Sequence, residues 1–288
     1  FEAEDTSSLR REPEASGTHI GLRAPYDRPT GTVALVGANV ITMRNGTDEV
    51  IRDAVVVIDR NRIAAVGPRA QVQIPADAHT INVTGRWIMP GIVDVHAHVG
   101  AGSSGITPQS HWPFQTNLAF GVTTMHDPSN NTEMIFSASE LLKAGDVLGP
   151  RLFSTGTILY GAEGGSKAIT TSYEDALGHL RRMKAVGAFS VKSYNQPRRD
   201  ARQQIIEAAR QLEMLVVPEG GSTFFFNMTH VLDGHTGVEH NVPVAPLYND
   251  VLTLWGEAND VGYTPTLIVN YNGLNGEFWF YQHDEVWR

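Results

Sequence analysis

Two histidines one residue apart, His96 and His98, close an apolar run that reads as a β-strand, IVDVHAHV. On a strand, residues i and i+2 point to the same side, so both imidazoles can converge on one point. Neutral imidazole suits zinc and similar divalent ions. The spacing alone fits two solvated polar residues at a strand end equally well. Lys192 follows an apolar run in FSVKSYN, where an inward-pointing lysine is costly unless paired or neutralised; the alternative is a lysine that snorkels to the surface. Glu219 closes MLVVPEGG and offers a carboxylate oxygen to a cation, or else is held by an arginine or by helix amides. His126 closes VTTMHDPS, and Tyr160 opens the glycine-rich loop YGAEGGS. Tyr194 follows Lys192 by two residues; these three are the candidate substrate contacts.

These residues need a scaffold that brings strand ends together. From Thr32 to Ile88 the chain shows short β-branched runs separated by turn signals such as Asn45–Gly46 and Asp59–Arg60–Asn61. They predict a small antiparallel, sandwich-like sheet over residues 31–90. Beyond Pro90, strand-like runs alternate with helical stretches, which is the pattern of a parallel α/β fold, a (β/α)8 barrel of TIM type. The helical period is clearest over 201–212, where Ile205, Ile206, Ala209 and Leu212 recur on one face. Barrel active sites form at the C-terminal ends of the strands, where the candidate residues fall. Seven strands are legible over residues 91–288, so the eighth unit is expected in a longer protein. Residues 1–30 are polar and aperiodic and read as a linker or the tail of an upstream region.

The segment GRWIMPGIVDVHAH, residues 85–98, closely resembles the amidohydrolase superfamily, where a small β domain leads through Pro-Gly into barrel strand one and its His-x-His pair. The resemblance continues through GVTTMHDPS, AVGAFSVKSYN, VVPEGG, GVEH and YTPTLIVN, over about residues 31–288. It is nearest to the branch that follows a TolB-like β-propeller in one long chain, so further domains of that chain are implied. The resemblance implies a centre of one or two divalent ions, binuclear when two are bound, zinc first, with Mn, Fe or Mg as alternatives. Its ligands would be His96, His98, Lys192 as a carbamate bridging two metals, and His240 from strand six. Strand five ordinarily carries a histidine; here Glu219 takes that place. His235 competes with His240 but precedes the strand. His111, His230 and His283 fall in helical or loop surroundings and read as structural. The general base, an aspartate closing strand eight, lies outside residues 1–288. The implied activity is hydrolysis of a C–N bond in a small molecule, an amide, cyclic amide or N-acyl or X-Pro-like dipeptide, by water that the metal activates. The alternative is a scaffold or assembly protein that kept the barrel and lost the chemistry.

Composition narrows the field. The 288 residues include 41% apolar and 18% charged ones, enough for a large core. A net charge of −9 argues against a nucleic-acid partner. No apolar run is long enough to span a membrane, and the charged start lacks the apolar segment of a signal peptide. With no cysteine, disulfides and thiolate ligands are excluded, and any metal rests on His, carboxylate or modified lysine. No phosphate-cradling glycine motif occurs. Homo-oligomer formation and compartment, periplasmic, secreted or cytoplasmic, stay open.

Overall fold

The computed structural model describes residues 25–266 except positions 27, 47, 48, 103, 104, 163, 197, 222, 241, 243, 245 and 258. Most of the expected linker, the end of the seventh strand run and His283 lie outside the described residues.

A first sheet is built around β1 (Thr32–Ile41), which pairs antiparallel with β2 (Val50–Asp59), itself antiparallel to β3 (Arg62–Pro68). Arg60, with φ 53°, makes the β2–β3 turn, as the sequence predicts. Ala34, Ala38 and Val40 of β1 and the run Ala54, Val55, Val56 and Val57 of β2 are buried. The expected all-antiparallel arrangement is corrected on the other side of β1, where β4 (His79–Asn82) and β5 (Trp87–Ile88) both run parallel to it. Turn signals fix only hairpin neighbours. The connection after β3 instead crosses to the opposite edge, and a strand that returns this way runs in the direction of β3, which is also that of β1. The five strands form one mixed sheet.

From β6 (Ile92–Asp94) onward every ladder among the described residues is parallel. The elements follow as α1 (Trp112–Ala119), β7 (Val122–Asp127), α2 (Thr132–Ala144), β8 (Arg151–Ser154), β9 (Ile158–Tyr160), β10 (Lys167–Ile169) and α3 (Tyr173–Ala185). Then come β11 (Ser190–Ser193), α4 (Arg199–Gln211), β12 (Leu215–Pro218), α5 (Phe224–Asp233), β13 (Gly237–Glu239), α6 (Asn249–Leu252) and β14 (Gly262–Thr264). A π-helical turn, Thr253–Glu257, extends α6. The ladders form three parallel runs: β6-β7-β8, β10-β9-β11-β12 and β13-β14. Among the described residues no ladder joins these runs into a closed ring, so the α/β alternation is observed and closure is not.

Local chemistry explains the helices. Asn131 caps α2 by accepting from the Met134 N–H, and Gly145 ends it in the left-handed conformation. Ser172 caps α3 by accepting from the Asp175 N–H. On α4, Ile205, Ala208 and Ala209 are buried against Leu180 and Met183 of α3 and Val191 and Val216 of the sheet, with Ile206 and Leu212 packed at the margin. Flanked by β9 and β12 and roofed by helices, β11 is buried at every residue. Among the described residues no helix is long and apolar enough to cross a membrane.

Candidate metal centre

The donors gather where β6, β12 and β13 end. His96 and His98 lie just past β6, on an extension held by the Ala97 N–H donating to the His126 carbonyl at 2.9 Å. Their Nε2 atoms are 3.1 Å apart, so the converging geometry expected of a strand end persists beyond it. Adjacent ligands on a tetrahedral ion with bonds of about 2.0–2.1 Å are separated by roughly 3.3 Å, close to this spacing. One donor atom each from His96, Glu219 and His240 lie within 4.8 Å of one another. His98 touches His96 but stands outside that trio, its side chain 55% exposed.

Glu219 is the hub. One oxygen lies 2.6 Å from His240 Nε2, and the other 2.7 Å from Lys192 Nζ. Lys192 is fully buried, so it does not snorkel to solvent. Burial raises the Glu219 carboxyl, but the His240 hydrogen bond and the Lys192 ammonium outweigh it and hold the group at about 2.

Glu239 and His240 are neighbours, and on a regular strand they would face opposite ways. β13 stops at Glu239, and His240 adopts φ 66°. This turn brings both side chains into the same cluster, Glu239 onto His96 and His240 onto Glu219. The His240 N–H donates to the Thr264 carbonyl at 2.8 Å, which fixes the turn against β14.

Of the expected substrate contacts, His126 has both ring nitrogens engaged. Nδ1 lies 3.2 Å from the Val95 carbonyl and Nε2 2.8 Å from Ser190 Oγ, and the ring rests on Phe189. Burial lowers its pKa. Tyr160 and Tyr194 stand edge to face, 5.3 Å between centroids, with Lys167 Nζ 4.6 Å and 4.9 Å from their rings. Lys167, unnoticed in the sequence, adds a cation to this rim. Burial, then the Glu219 charge, raises the Tyr194 phenol.

His111 and His235 are engaged elsewhere. His111 donates to the carbonyls of the loop after His98, at Val99 and Gly100. His235 does not join the cluster; its Nδ1 lies 3.0 Å from the His230 carbonyl. Two carboxylates that sequence reasoning passed over do join it: Glu239, 2.6 Å from His96 Nδ1, and Asp127, 3.3 Å from His98 Nδ1. Their adjacency to His240 and His126 was the available signal.

The donor chemistry fits a divalent cation. Glu239, when ionised, only accepts, so His96 Nδ1 carries the hydrogen and its Nε2 presents a lone pair. The same logic at Asp127 gives His98 Nε2 a lone pair. Two lone pairs 3.1 Å apart repel unless a cation lies between them.

No protein-family profile matches the chain. Over 63 residues, 22% of the chain, it is 38% identical to an imidazolonepropionase from Pseudomonas paraeruginosa, spanning 16% of that protein. Over 62 residues, 21% of the chain, it is 37% identical to an imidazolonepropionase from Acinetobacter baumannii, spanning 15% of that protein. The matches thus span about a sixth of these curated relatives. The fold resembles a prolidase solved with N-methylphosphonate-L-proline, with TM-score 0.67, 21% identity, and coverage of 83% of this chain and 67% of that one. It also resembles an amidohydrolase with TM-score 0.68, 18% identity and the same coverage. Sequence likeness over part of the chain and fold likeness over four-fifths of it together support the amidohydrolase superfamily.

Proposed function

We propose that the chain carries the metal centre of a hydrolase acting on C–N bonds in small molecules, within a (β/α)8 barrel that the described strands form in part. The observation that carries this reading is the convergence of His96, Glu219 and His240 at the ends of parallel strands. Imidazolonepropionase relatives and prolidase and amidohydrolase neighbours support it. His96, Glu219 and His240 would hold the ion, with His98 beside them and Lys192 joining as a carbamate in a binuclear centre. A divalent ion held there, zinc first, would supply Lewis acidity for acidifying water and polarising a carbonyl oxygen.

The chain's own residues do the rest. Glu219 neutralises positive charge at the hub, and Lys192, if its deprotonated amine adds to carbon dioxide and releases a proton, would present an anionic carbamate oxygen donor in place of an ammonium. Tyr160, Tyr194 and Lys167 line the rim with two phenol donors and a cation, suited to orienting an amide or dipeptide whose far end is anionic. The reading extends to a longer protein with a TolB-like β-propeller ahead of residue 31. The complete longer protein, with its strand-eight aspartate, loaded with zinc and assayed against N-acyl amino acids, cyclic amides and X-Pro dipeptides tests it. Turnover that a chelator abolishes and zinc restores is expected, whereas bound metal with no turnover across the panel would favour the scaffold alternative.

A further inference from the structure

We infer that Glu239 and Asp127 are positioning residues, each fixing one imidazole of the His96/His98 pair so that its Nε2 lone pair faces the metal. The inference rests on the metal reading above and assigns work to strand β7, which carries none of the expected ligands. The two carboxylates come from different strands, β13 and β7, and both are buried, Glu239 at 5% exposure and Asp127 at 0%. Each lies on the Nδ1 side of its histidine, the side away from the 3.1 Å Nε2 to Nε2 contact. A buried carboxylate that accepts from Nδ1 selects one tautomer, stops ring rotation and raises the basicity of the opposite nitrogen.

Asp127 is itself held. Its Oδ1 accepts from the Ser129 N–H at 3.0 Å and its Oδ2 from Asn130 Nδ2 at 2.9 Å. Glu239 is aimed by the left-handed backbone at His240, since the same turn that delivers His240 to Glu219 keeps Glu239 on the cluster side. The His96 contact, at 2.6 Å between side chains 6% and 7% exposed, is the tighter one. The His98 contact is longer, at 3.3 Å, with His98 half open to solvent. The two positions should therefore rank, Glu239 above Asp127.

The test titrates zinc into the full chain against a chromophoric chelator, comparing wild type with Glu239→Gln and Asp127→Asn. Both variants keep shape and lose the anionic acceptor. Zinc affinity should fall by about 10–100-fold, with the larger loss in Glu239→Gln. Nitrogen-15 spectra of the zinc-loaded wild type should show the hydrogen of both rings on Nδ1, a readout that packing alone would not move. Affinities within twofold of wild type in both variants would overturn the inference, as would an Nε2–H tautomer at His96. Because Asp127 meets the exposed His98, its variant still decides the matter if Glu239→Gln does not fold. A wild type that takes up no zinc would overturn the metal reading itself, so the two failures are distinguishable.

Discussion

Gly220 packs so closely on Glu239 that a Cβ at residue 220 would stand 1.9 Å from the Glu239 carbonyl oxygen. The end of β12 and the end of β13 therefore meet backbone to backbone, and this approach places Glu219 within reach of His240. Gly220→Ala should separate the two strand ends, destabilising the chain by about 1–3 kcal/mol and lowering zinc affinity as well. Gly165→Ala, where an added Cβ meets nothing within 4 Å, is the control expected to behave as wild type. Urea unfolding and chelator competition on both variants check this, and equal behaviour of the two would contradict it.

His96→Ala with His98→Ala should remove bound zinc without unfolding the chain. Both residues follow β6, outside the four buried apolar clusters, so little core is lost. Plasma emission spectrometry gives the metal content and circular dichroism the fold. Unchanged zinc in the double variant would rule out the pair as ligands.

Lys192 and Glu219 form a buried ion pair, and removing one partner strands the other's charge. In metal-free protein Glu219→Ala should cost about 3–5 kcal/mol, because it takes the partner carboxylate away from the fully buried Lys192 Nζ. Glu219→Gln, which keeps the volume and a carbonyl acceptor, should cost less. With zinc and labelled bicarbonate supplied, a carbon-13 carbamate signal should appear in wild type and vanish in Lys192→Ala. Crystals with two metals beside an unmodified Lys192 would refute the bridge.

Acid should destabilise the protein before its carboxylates titrate. His230 on α5 and His235 just past its end are both buried, their ring centroids 4.6 Å apart. Burial, then the neighbouring His235, lowers His230 to about 2; burial, then Arg202, lowers His235 to about 4. The unfolded chain, with histidines near 6.5, binds protons that the folded one refuses. Stability is thus full above pH 6.5 and falls as pH drops toward 4 for His235 and toward 2 for His230. Each group contributes a slope of about 1.4 kcal/mol per pH unit within its window. His126 and His179, also lowered by burial, act with the same sign. Urea midpoints between pH 5 and 7 should rise with pH in wild type and more shallowly in His230→Phe/His235→Leu; parallel curves would exclude this pair as a source.

The sequence made the strand and helix order legible because apolar runs, caps and turns are local, as on α2 with Asn131 and Gly145. It also named three donors that converge: His96 and Glu219 each close an apolar run, and His240 followed from the resemblance carried by GVEH. Three features stayed hidden because they depend on how strands are laid beside one another, which local sequence does not mark. The parallel placement of β4 and β5 follows from a crossover that no turn residue marks. The Glu239 contact to His96 spans 143 residues and needs the positive φ at His240. Lys167 joins Tyr160 and Tyr194 only because β10 folds back beside β9, two strands that read in the sequence as one glycine-rich loop with its flanks.

β5 runs beside β1 for two residue pairs, Asn39 with Trp87 and Val40 with Ile88, and β6 starts four residues after Ile88. The small sheet is thus the datum from which the histidine pair is measured. A slip of one residue between β5 and β1 would carry His96 and His98 about 3.3 Å along their strand, more than a metal–ligand bond length. It would also turn alternate side chains to the other face. Substitutions at Val40 or Ile88, far from any donor, should therefore surface as errors of alignment: zinc bound in altered stoichiometry by a chain whose helices and core remain intact.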